Sequence, residues 1–232
     1  MDSTPLHVLL RESRVLPVLT VHRLEQAVPL TAALAAGGIH TVEITLRTPC
    51  ALDAIREVSR ALPEITVGAG TLVDAAQAVQ VRDAGARFAV SPGLTGRLAE
   101  AADQADLALL PGVATASEAM VARELGFTFL KLFPAGVLGG TALLRSFAGP
   151  LGDLLFCPTG GLNAETFEDY LKLKNVACVG GSWMVPSGAV ERGEWSAVED
   201  AARVAAAAAA AIAPPGRPEG APRAPELEAH SR

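Results

Sequence analysis

Apolar and polar positions along this chain follow two alternating periodicities. Short β-branched or apolar runs recur at a spacing of roughly 20–26 residues. They lie at 15–21, 41–46, 65–70, 87–92, 107–112, 127–134, 154–161 and 176–182. Alanine- and leucine-rich stretches with helical spacing separate these runs, and each stretch ends near glycine or polar residues, as helices do. Strands that alternate with helices predict parallel βαβ units.

The number of strands favours one architecture. Eight strands in 232 residues fit closure into a (β/α)8 TIM barrel better than an open doubly wound sheet, which has about five or six strands. A helix over about residues 4–13 is expected to cap the bottom of the barrel, and a last helix is expected over about 195–212. We predict a single α/β domain over 1–212. The proline-rich, charged tail over 213–232 is predicted to be disordered.

Composition excludes several classes of protein. The formal net charge of −6 argues against a nucleic-acid-binding protein, which would carry a basic patch. Apolar runs are too short to span a membrane, and the N-terminus has no signal-peptide core. Cys50, Cys157 and Cys178 are odd in number and widely spaced, so they match no disulfide framework or zinc site. These features predict a cytoplasmic protein without membrane or nucleic-acid partners.

One lysine stands in an unusual place. The chain has 19 basic residues, of which three are lysines, and Lys131 lies within the apolar run FTFLKLFPA. A buried ammonium group is costly, so this lysine is expected to reach solvent, to pair with a buried acid, or to lose its proton and act as an amine nucleophile. Lys172 and Lys174 read as solvated charges. The four histidines are scattered, so no metal or cofactor is predicted.

The run TVEITLRT supplies possible partners for that lysine. Its alternation places one polar set on a single side of the strand, facing the barrel interior: Thr41, Glu43, Thr45 and Arg47. Glu43 and Arg47 are consistent with a structural ion pair. They are equally consistent with a site, because Arg47 falls at the upper end of the strand, where barrel enzymes place their chemistry. A neutral lysine amine facing the Glu43 carboxyl group provides the nucleophile and the proton-transferring group that imine formation requires.

Glycine-rich segments end four of the predicted strands. GAGT at 68–71 and SPG at 91–93 permit close backbone approach, but such turns end many barrel strands. PTGG at 158–161 and GGS at 180–182 end the seventh and eighth runs, where barrels commonly bind phosphate through backbone N–H groups. Tight turns without a ligand are the alternative reading of both segments.

Seven segments together resemble one family. GGIHTVEITLRTP, VGAGTL, FAVSPGLT, LPGVATASE, FLKLFPA, FCPTGGL and CVGGSW are similar to the class I 2-dehydro-3-deoxy-6-phosphogluconate (KDPG) aldolases, which are also active on 4-hydroxy-2-oxoglutarate (KHG). The likeness runs from about residue 8 to residue 205. It implies a homotrimeric barrel that needs no cofactor and cleaves a keto-acid phosphate to pyruvate and glyceraldehyde 3-phosphate.

The resemblance also implies a role for each matching residue. Lys131 is expected to form the Schiff base and Glu43 to shuttle the proton. The pyruvate part is expected to contact Arg47, Thr71, Pro92, Phe133 and Thr159. The phosphate is expected to contact Gly160, Gly161, Gly181 and Ser182.

One departure and two alternatives accompany this reading. GVLGG at 136–140 stands where family members carry an acidic residue, which leaves the aldehyde-side specificity open. An aldolase for the galactonate epimer of the substrate is an alternative within enzymes. A non-catalytic sugar-phosphate-binding barrel is an alternative from another class.

Overall fold

The computed structural model of the protein describes residues 6–216, in which parallel strands alternate with helices. The strands in this range are β1 (Val15–Leu19), β2 (Thr41–Thr45), β3 (Thr66–Gly70), β4 (Phe88–Val90), β5 (Ala108–Leu110), β6 (Gly112–Val113), β7 (Phe129–Leu132), β8 (Leu155–Pro158) and β9 (Val179–Gly181). The α-helices are α1 (Leu6–Ser13), α2 (Ala27–Ala36), α3 (Ala51–Ala61), α4 (Gln77–Asp83), α5 (Gly96–Gln104), α6 (Ala116–Glu124), α7 (Gly140–Phe147), α8 (Phe167–Leu171), α9 (Ala189–Arg192) and α10 (Trp195–Ala210).

Each of the eight predicted runs contains a strand, but the fifth run is divided. Pro111 separates β5 from β6, since proline has no N–H to contribute to a ladder. The two pieces also have different neighbours: β5 pairs with β4, and β6 pairs with β7. The carbonyl of Pro111 still accepts a hydrogen bond from the Lys131 N–H at 2.8 Å. The run therefore forms two short strands where the sequence predicts one.

The strands form two parallel sheets. One has the order β5-β4-β3-β2-β1-β9, and the other has the order β6-β7-β8. Isolated parallel bridges, Phe156 to Val176 and Thr159 to Gly180, join β8 to the residues in and before β9. The predicted mixed α/β fold with parallel strands is confirmed.

Two hydrophobic clusters lie on opposite faces of the strands. Val42 and Ile44 of β2 belong to the larger cluster, which includes most of the buried helix residues. The smaller cluster contains alternate strand residues such as Phe88 and Val90 of β4, together with Leu10 of α1. Apolar side chains of β2 therefore face the helices, which leaves the polar set of the same strand on the other face.

The ends of the chain agree with the predicted helices to within a few residues. Helix α1 starts at Leu6, and α10 ends at Ala210, two residues before the predicted end. Residues 1–5 and 217–232, which include most of the predicted tail, lie outside the described range. Within residues 6–216, no helix is long and apolar enough to cross a membrane.

Candidate active site

Lys131 and Glu43 meet inside the molecule, on the face of the strands opposite the helices. Lys131 is on β7 and Glu43 is on β2, and their residues are 4% and 1% exposed. The Lys131 Nζ lies 3.4 Å from Glu43 Oε1. The second carboxylate oxygen, Oε2, is buried without a hydrogen-bond partner among the described residues. A buried acceptor without a partner is costly in a purely structural ion pair, so this oxygen is available to accept a hydrogen bond from a substrate group.

Gly70 makes this position of Glu43 possible. A Cβ on Gly70 would stand 2.1 Å from Glu43 Oε1 and 2.5 Å from its Cγ, far inside contact distance. The carboxylate therefore lies across the β3 backbone, in space that a side chain at Gly70 would occupy. Gly112, the strand neighbour of Lys131, instead leaves room for the neighbouring backbone, because a Cβ there would stand 2.3 Å from the backbone of Pro92.

Arg47 and Thr71 form a second pair, at the carboxyl ends of β2 and β3. The Arg47 Nε donates to Thr71 Oγ1 at 3.0 Å, and Arg47 is exposed to solvent. Thr71 has a φ of 61°, a left-handed conformation that is uncommon for a β-branched residue and is often found at functional sites. The pair leaves the remaining guanidinium N–H groups free to bind a carboxylate.

Phe133 and Thr159 lie near Lys131, directly after the carboxyl ends of β7 and β8. Thr159 follows β8 directly, and its hydroxyl donates to the Cys157 carbonyl at 3.3 Å. Cys157 is the strand neighbour of Lys131. The Phe133 ring centroid is 5.3 Å from Lys131 Nζ, a distance at which an ammonium interacts favourably with an aromatic face.

Two glycine loops lie side by side next to this cluster. Gly160 and Gly161 have φ values of 92° and 84°, which glycine adopts without strain. The bridge between Thr159 and Gly180 brings their loop beside Gly181 and Ser182. Gly161 and Ser182 are exposed, so a ligand has access to the backbone of both loops.

The segment 136–140 adjoins the first of these loops. The Gly136 N–H donates to the Gly160 carbonyl at 2.8 Å, and Val137 beside it is 84% exposed. The departure from the family pattern therefore lies at the edge of the predicted phosphate site rather than near Lys131.

A pair of thiols lies beneath the site. Burial raises the pKa of the Cys178 thiol well above its usual value, and a hydrogen bond to Cys157 acts in the same direction. Both residues are fully buried, so neither thiol is suited to act as a nucleophile. Within residues 6–216, no three His, Cys, Asp or Glu side chains cluster as metal ligands would.

The structure thus brings the predicted site residues to one end of the strands. Sequence reasoning missed Gly112 and Cys157, which border Lys131, and Trp183, which borders the second glycine loop. Gly112 and Cys157 carried no signal of their own, because nothing in a linear sequence shows which strands are neighbours. Trp183 had a signal, since it directly follows the GGS segment.

Comparison with known proteins decides the family. A family model described as "Aldolase: KDPG and KHG aldolase" matches residues 6–201. The chain belongs to this aldolase family. The KHG/KDPG aldolase of Escherichia coli K12 is 46% identical over 197 residues, which cover 85% of this chain and 92% of the relative. The 2-dehydro-3-deoxy-phosphogluconate aldolase of Pseudomonas aeruginosa PAO1 is 48% identical over 85% of this chain and 90% of its own.

A solved KDPG aldolase structure supports the same family on structural grounds. The Legionella pneumophila enzyme, with pyruvate captured at low pH as a covalent carbinolamine intermediate, superimposes with a TM-score of 0.84 at 43% identity. The match covers 86% of this chain and 97% of that one. A carbinolamine is the adduct of an amine and a ketone, so the captured species on that aldolase belongs to imine chemistry.

Proposed function

We propose that this protein is a class I aldolase that cleaves KDPG to pyruvate and D-glyceraldehyde 3-phosphate through a Schiff base on Lys131. The observation that carries the proposal is a buried lysine amine facing a buried carboxylate, in a chain that belongs to the KDPG and KHG aldolase family. The E. coli relative is named for both substrates, which favours KHG, cleaved to pyruvate and glyoxylate, as a second substrate.

The reaction follows from the two buried groups. The Lys131 ammonium group first passes a proton to Glu43, and the resulting amine attacks the substrate ketone to give a carbinolamine. Glu43 then returns that proton to the carbinolamine hydroxyl, which leaves as water. The protonated imine then accepts the electron pair of the C3–C4 bond, while Glu43 takes the proton from the C4 hydroxyl. This step releases the aldehyde and leaves an enamine. Protonation of the enamine carbon and hydrolysis of the imine release pyruvate and restore the amine.

The remaining site residues bind and orient the substrate. Arg47 neutralises the carboxylate beside the ketone, and its hydrogen bond to Thr71 fixes the guanidinium plane. Thr159, Pro92 and Phe133 border the reacting carbons. Backbone N–H groups around Gly160, Gly161, Gly181 and Ser182 hold the phosphate, which fixes the far end of the substrate and supplies orientation.

We also propose that the two sheets close into one (β/α)8 barrel within a single domain ending near residue 212. Two features support closure: the bridge from Thr159 to Gly180 on one side, and the continuous chain through Pro111 on the other. A capping role for α1 is supported by Leu10, which is fully buried in the cluster on the inner face of the strands.

The predicted homotrimer has a suitable surface on α6. Helix α6 buries Ala119 and Ala122, whereas Met120 and Val121 of the helix and Leu125 directly after it are each about half exposed. Large apolar side chains outside and alanines inside are the reverse of an ordinary surface helix, and they suit a contact with a second copy of the chain. Val121→Lys should yield monomers by light scattering, while Val204→Lys on α10 should not.

The redox state of the cysteines bears on the location of the protein. All three cysteines are free, and a cytoplasmic location stays a prediction.

A coupled assay tests the proposed activity. Purified protein is given KDPG, and pyruvate is followed as NADH consumption by lactate dehydrogenase. We expect cleavage by the wild type and by Lys172→Ala, whose lysine is exposed and paired with Asp169, and none by Lys131→Ala. The C4 epimer derived from galactonate is assayed in parallel, because faster cleavage of that epimer would reassign the substrate. Absence of cleavage of any of these keto-acids, with a phosphate ligand still bound, would indicate a non-catalytic barrel.

A further inference from the structure

Trp183 lies directly behind the second glycine loop. It follows Ser182, and its indole ring occupies the space beside Gly181: a Cβ on Gly181 would stand 2.1 Å from ring atom Cζ3 and 2.4 Å from Cε3. The ring nitrogen is buried without a partner among the described residues, so the ring is held by packing rather than by a hydrogen bond. The position of Gly181 therefore depends on the position of the ring.

The same ring also contacts the element that follows the first glycine loop. The rings of Trp183 and Phe167 are stacked, with centroids 5.2 Å apart and an interplanar angle of 28°. Phe167 is 2% exposed and is the first residue of α8. The turn between Gly161 and α8 is short and internally bonded, because Asn163 Oδ1 accepts from the N–H groups of Glu165 and Thr166. This short, hydrogen-bonded turn links Phe167 to Gly160 and Gly161.

We infer that Trp183 is a positioning residue for the substrate phosphate: it sets the spacing between the Gly160–Gly161 loop and the Gly181–Ser182 loop. This inference rests on the proposed function. The bridge from Thr159 to Gly180 joins the two loops at their base, whereas Gly161 and Ser182 at the outer end are exposed. Backbone N–H groups bind a phosphate well only within a narrow range of distances, so a small change in loop spacing weakens several hydrogen bonds together.

The two proposed substrates make the inference testable, because KDPG carries a phosphate and KHG does not. The readout is the ratio of kcat/KM for KDPG to kcat/KM for KHG. We expect Trp183→Leu to lower this ratio about tenfold, as loss of one hydrogen bond to a charged group does. Trp183→Phe keeps an aromatic ring against Phe167 and should restore most of the ratio. Trp195→Leu, which removes the other tryptophan of the chain, should leave the ratio unchanged.

A purely structural role predicts a different result. General loss of stability lowers activity on both substrates together, so an unchanged ratio in Trp183→Leu would overturn the inference. If that variant does not fold, Phe167→Leu replaces it: removal of the stacking partner should lower the ratio in the same direction, and an unchanged ratio there would overturn the inference as well.

A binding measurement separates this inference from the proposed function. In Trp195→Phe, Trp183 is the remaining tryptophan of the chain. Its fluorescence emission can therefore be followed while inorganic phosphate is added. We expect a saturable change in emission even if neither keto-acid is cleaved. Cleavage of KDPG together with emission that does not respond to phosphate would contradict the inference and leave the aldolase assignment intact. Failure of cleavage with a saturable response would contradict only the assignment.

Discussion

Gly70→Ala offers a sharp test of the role of Glu43, because it moves that side chain without changing any ionisable group. The new Cβ would stand 2.1 Å from Oε1, 2.5 Å from Cγ and 2.7 Å from Cδ of Glu43. Rotation of the carboxylate alone cannot relieve the contact with Cγ. The side chain must therefore move by about 1 Å to reach ordinary contact distances. The present separation from Lys131 Nζ is already 3.4 Å, so this shift breaks the hydrogen bond or redirects it.

The expected effect on catalysis follows from that displacement. A misplacement of about 1 Å in a proton-transferring group typically costs about 10²-fold in rate. We expect kcat for KDPG cleavage to fall by about that factor in the coupled assay. Overpacking costs about 1–3 kcal/mol of stability, so the variant is expected to remain folded by circular dichroism.

Gly96→Ala is the matched control for this variant. Gly96 begins α5, and a Cβ there meets nothing within 4 Å. Its kcat should equal that of the wild type. A folded Gly70→Ala enzyme with kcat within about threefold of wild type would refute the reasoning, because the carboxylate position would then not matter.

Three further predictions concern other parts of the chain. Glu43→Gln should lose about 10²-fold or more in turnover while still forming the imine slowly, which rapid-quench trapping checks; unchanged turnover would assign the proton shuttle to another group. Thr115→Ala removes the capping box with Glu118 at the start of α6 and should cost about 1 kcal/mol of unfolding free energy with activity retained, whereas an unchanged denaturation midpoint would contradict it. Because the pKa of Cys178 is raised in the folded state, unfolding free energy should fall as pH rises above about 8.5, by up to about 1.4 kcal/mol per pH unit. Cys178→Ala should show a shallower decline in chemical denaturation, and an identical pH profile would contradict the assignment.

Part of the site could be predicted from the sequence because strand periodicity is local. Alternation in TVEITLRT places Glu43 on the face away from Val42 and Ile44, and the structure has that arrangement. The apolar surroundings of Lys131 predicted burial, and the residue is 4% exposed. Because the same alternation turns Glu43 toward the barrel interior, the sequence also predicted that Glu43 could pair with Lys131.

The parts that were missed depend on pairing between distant segments. The division at Pro111 reflects a change of neighbouring strand, which the run 107–112 does not encode by itself. The need for glycine at position 112 comes from the backbone of Pro92, which the strand order brings beside it. The stacking of Trp183 on Phe167 joins two loops whose proximity follows only from the complete sheet order.

Burial of the Lys131–Glu43 ion pair is unfavourable for the stability of the fold. An ion pair removed from water stabilises little, and apolar replacements of similar volume are often as stable or more so. The unpartnered Glu43 Oε2 adds to that cost. A fold that retains both groups, with Gly70 leaving the space that the Glu43 side chain occupies, fits a site whose purpose is chemistry rather than stability.

Reductive trapping tests the central claim most directly. The wild type and Lys131→Ala are each incubated with pyruvate and sodium borohydride, digested, and analysed by mass spectrometry. The account predicts one reduced pyruvate adduct per wild-type chain, on the peptide containing Lys131, and no adduct on the variant. A wild-type adduct on Lys172 or Lys174 instead, or full cleavage activity in Lys131→Ala, would contradict it.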